Sequence, residues 1–128
     1  MIDRDTLLAS RQTLWMSLTR LWLDDEPSPD DYDDMASEIL RHDHTDKQLE
    51  WIYRLELAPV MVKYQVSITQ GWKAFEPERI LPPLVRHNQR MTPMKRRWWI
   101  LMSGMTTALS RPRWATLMQE VQHRRGPR

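Results

Sequence analysis

The sequence predicts an all-α fold, a single-domain bundle of six or seven short to medium helices. Three observations lead there. Apolar residues recur at helical spacing along most of the 128 residues. No alternating stretch is longer than a few residues, so no sheet is expected. Ser, Thr and Pro stand where helices should begin, and further prolines punctuate the turns. At this length one domain is expected, and 41% apolar content with seven tryptophans is ample for its core.

The organising stretch is Leu7 to Glu26. Leu7, Leu14 and Leu21 repeat every seven residues, as do Leu8, Trp15 and Trp22, with Leu18 between them. This broad apolar stripe predicts a first helix running to about Leu23, capped by Asp3 or Asp5. Ser28-Pro29-Asp30-Asp31 predicts the start of a second helix, with Tyr32, Met35, Ala36, Ile39 and Leu40 facing inward. Thr45 and Gln48 are spaced as a capping box for a third. Pro59 is expected to break or kink that element. Val60, Met61, Tyr64 and Ile68 then suggest a short fourth helix stopped by Gly71, with Trp72 and Phe75 as loop anchors. Pro82-Pro83 is expected to cut the turn opened by Glu76-Pro77, leaving a short helix over 83–90. Thr92-Pro93 opens a helix whose apolar face is Met94, Trp98, Leu101, Met102, Met105 and Leu109. That stripe predicts burial, Trp98 included, and Met94, Met102, Met105 and Met118 read as core fillers, with an adaptable binding groove as the alternative. Ser110 is expected to cap a last helix carrying Trp114, Leu117, Met118 and Val121, with residues 122–128 fraying.

Charge divides the chain. Residues 1–85 hold 16 acids and 9 bases, a net of −7, while residues 86–128 hold 10 bases and the single acid Glu120, a net of +9. The first half therefore leans acidic, and 86–121 is basic and rich in tryptophan. Such polarity serves docking within the molecule, a charged partner, or both. With no cysteine, disulfides and thiolate metal sites are excluded. No apolar run approaches the ~20 residues of a membrane span, and the amino terminus lacks the pattern of a signal peptide. A cytoplasmic protein without membrane association is the expectation.

Enzyme chemistry has the weakest support. His42, Asp43, His44 and Asp46 superficially offer metal ligands. The histidines, however, alternate in a turn rather than standing four apart on a helix. No nucleophile elbow or glycine-rich phosphate loop is present. No catalytic residue, metal or cofactor is assigned.

Two surfaces remain. Asp24, Asp25, Glu26, Asp30, Asp31, Asp33 and Asp34 put seven carboxylates within eleven residues with no base among them. Such a corner can steer a basic protein partner, and its plainer reading is a solvated corner near the chain's own basic half. Lys95-Arg96-Arg97-Trp98-Trp99 is the other. Trp99 and Ile100 fall off the apolar stripe, so they are either covered by another helix or exposed as a partner patch, where Trp99 flanked by arginine suits an apolar anchor. With Arg111 and Arg113, the same basic residues form a candidate nucleic-acid surface, although no recognised motif accompanies them.

Leu18-Thr19-Arg20-Leu21-Trp22-Leu23-Asp24, Glu56-Leu57-Ala58-Pro59-Val60 and Gly71-Trp72-Lys73-Ala74-Phe75 occur in that order. Over about residues 14–81 the chain thereby resembles a family of small bacterial helical proteins of unknown function, immunity-protein-like in character. The basic stretch after residue 86 reads as an addition to it. The resemblance implies a helical fold, carries no catalytic residues, and suggests an immunity protein paired with a secreted toxin.

Together these readings favour a non-enzymatic binding protein that occludes the active site of a cognate toxin or effector. The acidic elbow would form its rim and Trp99 its anchor. A nucleic-acid-associated regulator using Lys95, Arg96, Arg97, Arg111 and Arg113 is the second reading, and another inhibitor or adaptor the third. The oligomeric state is left open.

Overall fold

The structure is a computed structural model that describes residues 3–23, 25–65 and 75–126. Asp3 accepts a hydrogen bond from the Thr6 backbone N–H and opens α1 (Arg4–Leu18), which tightens into a 3₁₀ turn over Thr19–Trp22. Leu14, Trp15, Leu18, Leu21 and Trp22 are fully buried, so the stripe read from the sequence is the centre of the core. Ser28 then caps α2 (Pro29–Leu40). Its hydroxyl accepts from Asp31 N while the Asp31 carboxylate accepts from Ser28 N, which satisfies two donors that a helix start otherwise leaves orphaned. Ser28→Ala is expected to cost about 1 kcal/mol in a chemical-denaturation midpoint measurement. Met35, Ala36 and Ile39 are buried, whereas Leu40 lies at the exposed edge of that face.

Thr45 and Gln48 form the expected capping box. The helix they start does not break at Pro59. It continues as one run, α3, made of an α stretch Asp46–Trp51, a π stretch Ile52–Leu57 and an α stretch Ala58–Gln65. Proline at position 59 has no N–H and crowds the carbonyl four residues back, that of Leu55. The widened π turn makes room for it, and the displaced carbonyls find other donors. His87 Nε2 lies 2.8 Å from Leu55 O and Asn88 Nδ2 donates to Glu56 O at 3.3 Å. Since a carbonyl can only accept, His87 carries its proton on Nε2.

Both of these donors sit on α4 (Pro77–Gln89), which also runs unbroken through its prolines. Pro82 and Pro83 remove bonds only to the carbonyls of Glu78 and Arg79, which are exposed residues of the first turn. Ile80, Leu81, Leu84 and Val85 bury the opposite face and hold the helix together. The short helix expected over 83–90 is thus the second half of a longer one. Ile68, Gly71 and Trp72 lie outside the described residues, while Phe75 is buried and meets Tyr64 edge-on at 5.7 Å.

Thr92 caps α5 (Pro93–Thr106) through Lys95 N. Ser110 occupies the cap position of α6 (Arg111–Arg125) but makes no side-chain cap. Its buried hydroxyl faces the Tyr53 hydroxyl at 2.6 Å instead. The expected fraying does not begin at 122, because Arg124 pairs with Glu120 and Asp33, and Arg125 pairs with Asp46. Among the described residues there are six helices and no strand, and none of these helices is long and apolar enough to cross a membrane.

α1 packs on α2 and α4, α2 on α6, and α5 on the π stretch and the end of α3. Two glutamates of α3 fix its neighbours in the same way. Glu56 accepts from Trp15 Nε1 and Arg11 Nε of α1, both at 2.9 Å. Glu50 accepts from Trp114 Nε1 and Arg111 Nη1 at the start of α6, both at 2.6 Å. Tyr53 lies between Trp22 and Trp114, stacked on the latter at 4.4 Å.

Candidate functional site

The largest departure from the sequence reading is α5. Its apolar stripe faces out: Met94, Trp98, Leu101, Met105 and Leu109 are 54% to 81% exposed. Periodicity identifies which side of a helix is apolar and leaves open which way it points. Here the packed side carries small hydroxyl residues. Ser103, Thr106, Thr107 and Ser110 are buried, and their hydroxyls are satisfied by carbonyls of the preceding turn. Their short side chains let the helix approach the widened turn of α3, which large stripe residues would hold away. Trp98 and the methionines 94 and 105 are therefore surface residues. Met102 is half-buried, and Met118 packs against the core.

Trp99, whose burial the sequence leaves open, is half-buried, with its ring edge-on to His87 at 5.7 Å. Ile100 is exposed. Beside Trp98 and Trp99 lies a hollow of about 470 Å³ between α3, α4 and α5. The Lys95–Trp99 stretch supplies one wall, and nothing in the sequence marked the other two, which come from separated segments.

The acidic elbow is largely engaged by the chain itself. Arg113 pairs with Glu26 at 3.1 Å, and Tyr32 donates to the same carboxylate at 2.6 Å. That carboxylate and burial push the Tyr32 phenol well above its ordinary range, burial being the larger cause. Arg20 stands between Asp34 at 3.1 Å and Asp31 at 3.7 Å, and Arg124 pairs with Asp33. Asp25 and Asp30 are exposed and enter none of these pairs. Asp24 lies outside the described residues.

The basic candidates divide similarly. Arg111 binds Glu50 and covers the Tyr53 ring at 5.3 Å, while Arg113 also donates to the carbonyls of Leu21 and Leu23. Arg96 lies over Trp51 at 5.6 Å. Lys95 and Arg97 project from the exposed first turn of α5 without a carboxylate partner among the described residues.

His42 Nε2 lies 3.1 Å from Glu38 Oε1 and its ring stacks on His44 at 5.8 Å. Burial lowers the His44 pKa, and the nearby charges of Arg11 and His42 lower it further. Among the described residues no three His, Asp or Glu side chains gather as a metal-ligand group.

No curated protein and no solved structure matches the chain. A family model matches residues 9–120, beyond the 14–81 span that carries the sequence resemblance. The basic stretch after Arg86 thus lies within the matched span and is not an addition to it. The chain belongs to the family described as a domain of unknown function, DUF7079.

Proposed function

We propose that the protein is a non-enzymatic, cytoplasmic binding protein of the immunity type. It would neutralise a secreted toxin by seating that toxin on the outer face of α5. The observation that carries this reading is the row Met94, Trp98, Leu101 and Met105 of α5, continued by Leu109 in the turn after it, all held in water. Covering such a side chain recovers about 1.5–3 kcal/mol, and contiguous apolar patches of this kind mark interaction sites. Lys95 and Arg97 flank the row, so the complementary partner surface is apolar and edged with carboxylates. The acidic elbow supports a partner role less well, since most of its described charges already have intramolecular partners.

The test is protection of cells that express a toxin encoded beside this chain's gene. Leu101→Asp with Met105→Asp is expected to abolish protection and weaken toxin binding about 100-fold or more, with helical circular dichroism unchanged. Asp25→Lys with Asp30→Lys is expected to retain protection. Protection that survives the α5 change overturns the reading. So does sedimentation as a dimer that the α5 change dissociates, because the face is then filled by a second copy.

A further inference from the structure

We infer that the hollow between α3, α4 and α5 is a nucleotide-binding site, taking a small ligand with two or more phosphate charges and a flat ring. The hollow shares Trp98 and Lys95 with the edge of the partner face, and nucleotide binding is therefore read on the free chain, with no partner present. Four cations line the hollow: Lys63 of α3, Arg86 of α4, Arg90 just past the end of that helix, and Lys95 of α5. None of the described residues that line it is acidic. None of the four cations has an ion-pair partner among the described residues, which distinguishes them from Arg111, Arg113, Arg124 and Arg125. A chain that pairs Arg111, Arg113, Arg124 and Arg125 across its helices leaves these four lining one concavity. Converging guanidinium and ammonium groups are the recognition chemistry of phosphate.

The remaining wall argues for a ring. Tyr64, Trp98 and Trp99 border the hollow, and stacking on aromatic side chains accommodates any base. A volume of about 470 Å³ falls within the range of small-molecule sites. A nucleic-acid strand is a poorer fit, because the arginines that would extend a basic track, Arg111 and Arg113, are bonded to Glu50 and Glu26.

His87 supplies a built-in reporter. Burial holds its pKa below the ordinary value, the charges of Lys63 and Lys95 push it lower, and the Leu55 carbonyl and Glu56 act against them. A bound phosphate offsets the lysine charges, so the imidazole should titrate at higher pH. Nδ1 is the nitrogen that gains the proton.

The experiment titrates the whole chain at low salt with ADP, ATP, pyrophosphate and adenosine, following tryptophan emission and heat. ADP and ATP are expected to quench emission saturably with Kd below about 1 mM. Pyrophosphate should bind more weakly and adenosine not measurably. Arg86→Glu and Lys63→Glu, both at exposed positions, should each weaken ADP about tenfold. Trp98→Ala should weaken ADP and leave pyrophosphate unchanged, and the His87 ring resonances should report a raised pKa when ADP is bound. The inference is overturned if neither nucleotide binds at about 5 mM, or if Arg86→Glu binds ADP as the parent does. It is equally overturned if Arg86→Glu loses protection against the toxin while the parent binds no nucleotide, because the hollow then receives part of the protein partner.

Discussion

Trp15→Ala is expected to lower stability by about 3–5 kcal/mol, a large share of the 5–15 kcal/mol that holds a typical domain. Trp15 has no exposed surface, and its Nε1 donates to Glu56 Oε1 at 2.9 Å. Truncation opens a cavity where α1 meets α3 and removes one of the two donors on that carboxylate. A drop in Tm of roughly 10–20 °C should follow. Trp15→Phe keeps most of the volume and loses the hydrogen bond, so it should cost about 1–2 kcal/mol. Trp98→Ala is the informative contrast. That side chain is 54% exposed, and its removal should shift Tm by no more than a few degrees. Equal losses at the two tryptophans would contradict the outward orientation of α5.

Glu50→Ala is the second large effect, expected at about 2–3 kcal/mol. Its carboxylate holds Arg111 and Trp114 at the start of α6, and Arg54 Nε lies 2.9 Å away on the same helix. The side chain keeps about a third of its surface in water, 30%, which places the cost below that of a fully buried ion pair. Burial raises the Glu50 pKa, but the hydrogen bonds from Arg111 and Trp114 and the charges of Arg111 and Arg54 outweigh it, so the carboxyl sits below its ordinary 4.5. The folded state therefore binds this proton more weakly than the unfolded chain. The stabilisation is complete above the unfolded value and fades as pH falls through the lower folded one. Denaturation followed between pH 6 and pH 3 should show a flatter acid limb in Glu50→Ala than in the parent. A double-mutant cycle with Arg111→Ala should return a coupling of about 1–2 kcal/mol.

What could be read from the sequence follows the range of the forces involved. The starts at Ser28-Pro29, Thr45…Gln48 and Thr92-Pro93 were legible because a cap is chemistry among four neighbouring residues. The stripe from Leu7 to Trp22 was legible because almost every large residue on it is buried. Pro59 misled because its remedy lies about thirty positions away, in His87 and Asn88. Two of the acidic elbow's neutralising partners, Arg113 and Arg124, stand near the far end of the chain, and only Arg20 is close to it in sequence. On α5 the pattern was right and its direction wrong, since the helix packs through hydroxyl residues that carry no hydrophobic signal. The hollow was legible on one wall alone: Lys95, Trp98 and Trp99 stand together in the sequence, but Lys63 and Arg86 mean little until three helices bring them to the same place.

The pairing of α2 with α6 also bears on how the protein is made. Trp114, Leu117 and Val121 belong to the same core as Trp22 and Met35, so sequence-distant segments must meet before the interior is dry. While a ribosome still shelters α6, the emerging chain exposes Tyr53 and Trp22 with no lid above them. Final closure must then wait until Val121 has cleared the exit tunnel, and apolar surface left open for that interval favours aggregation.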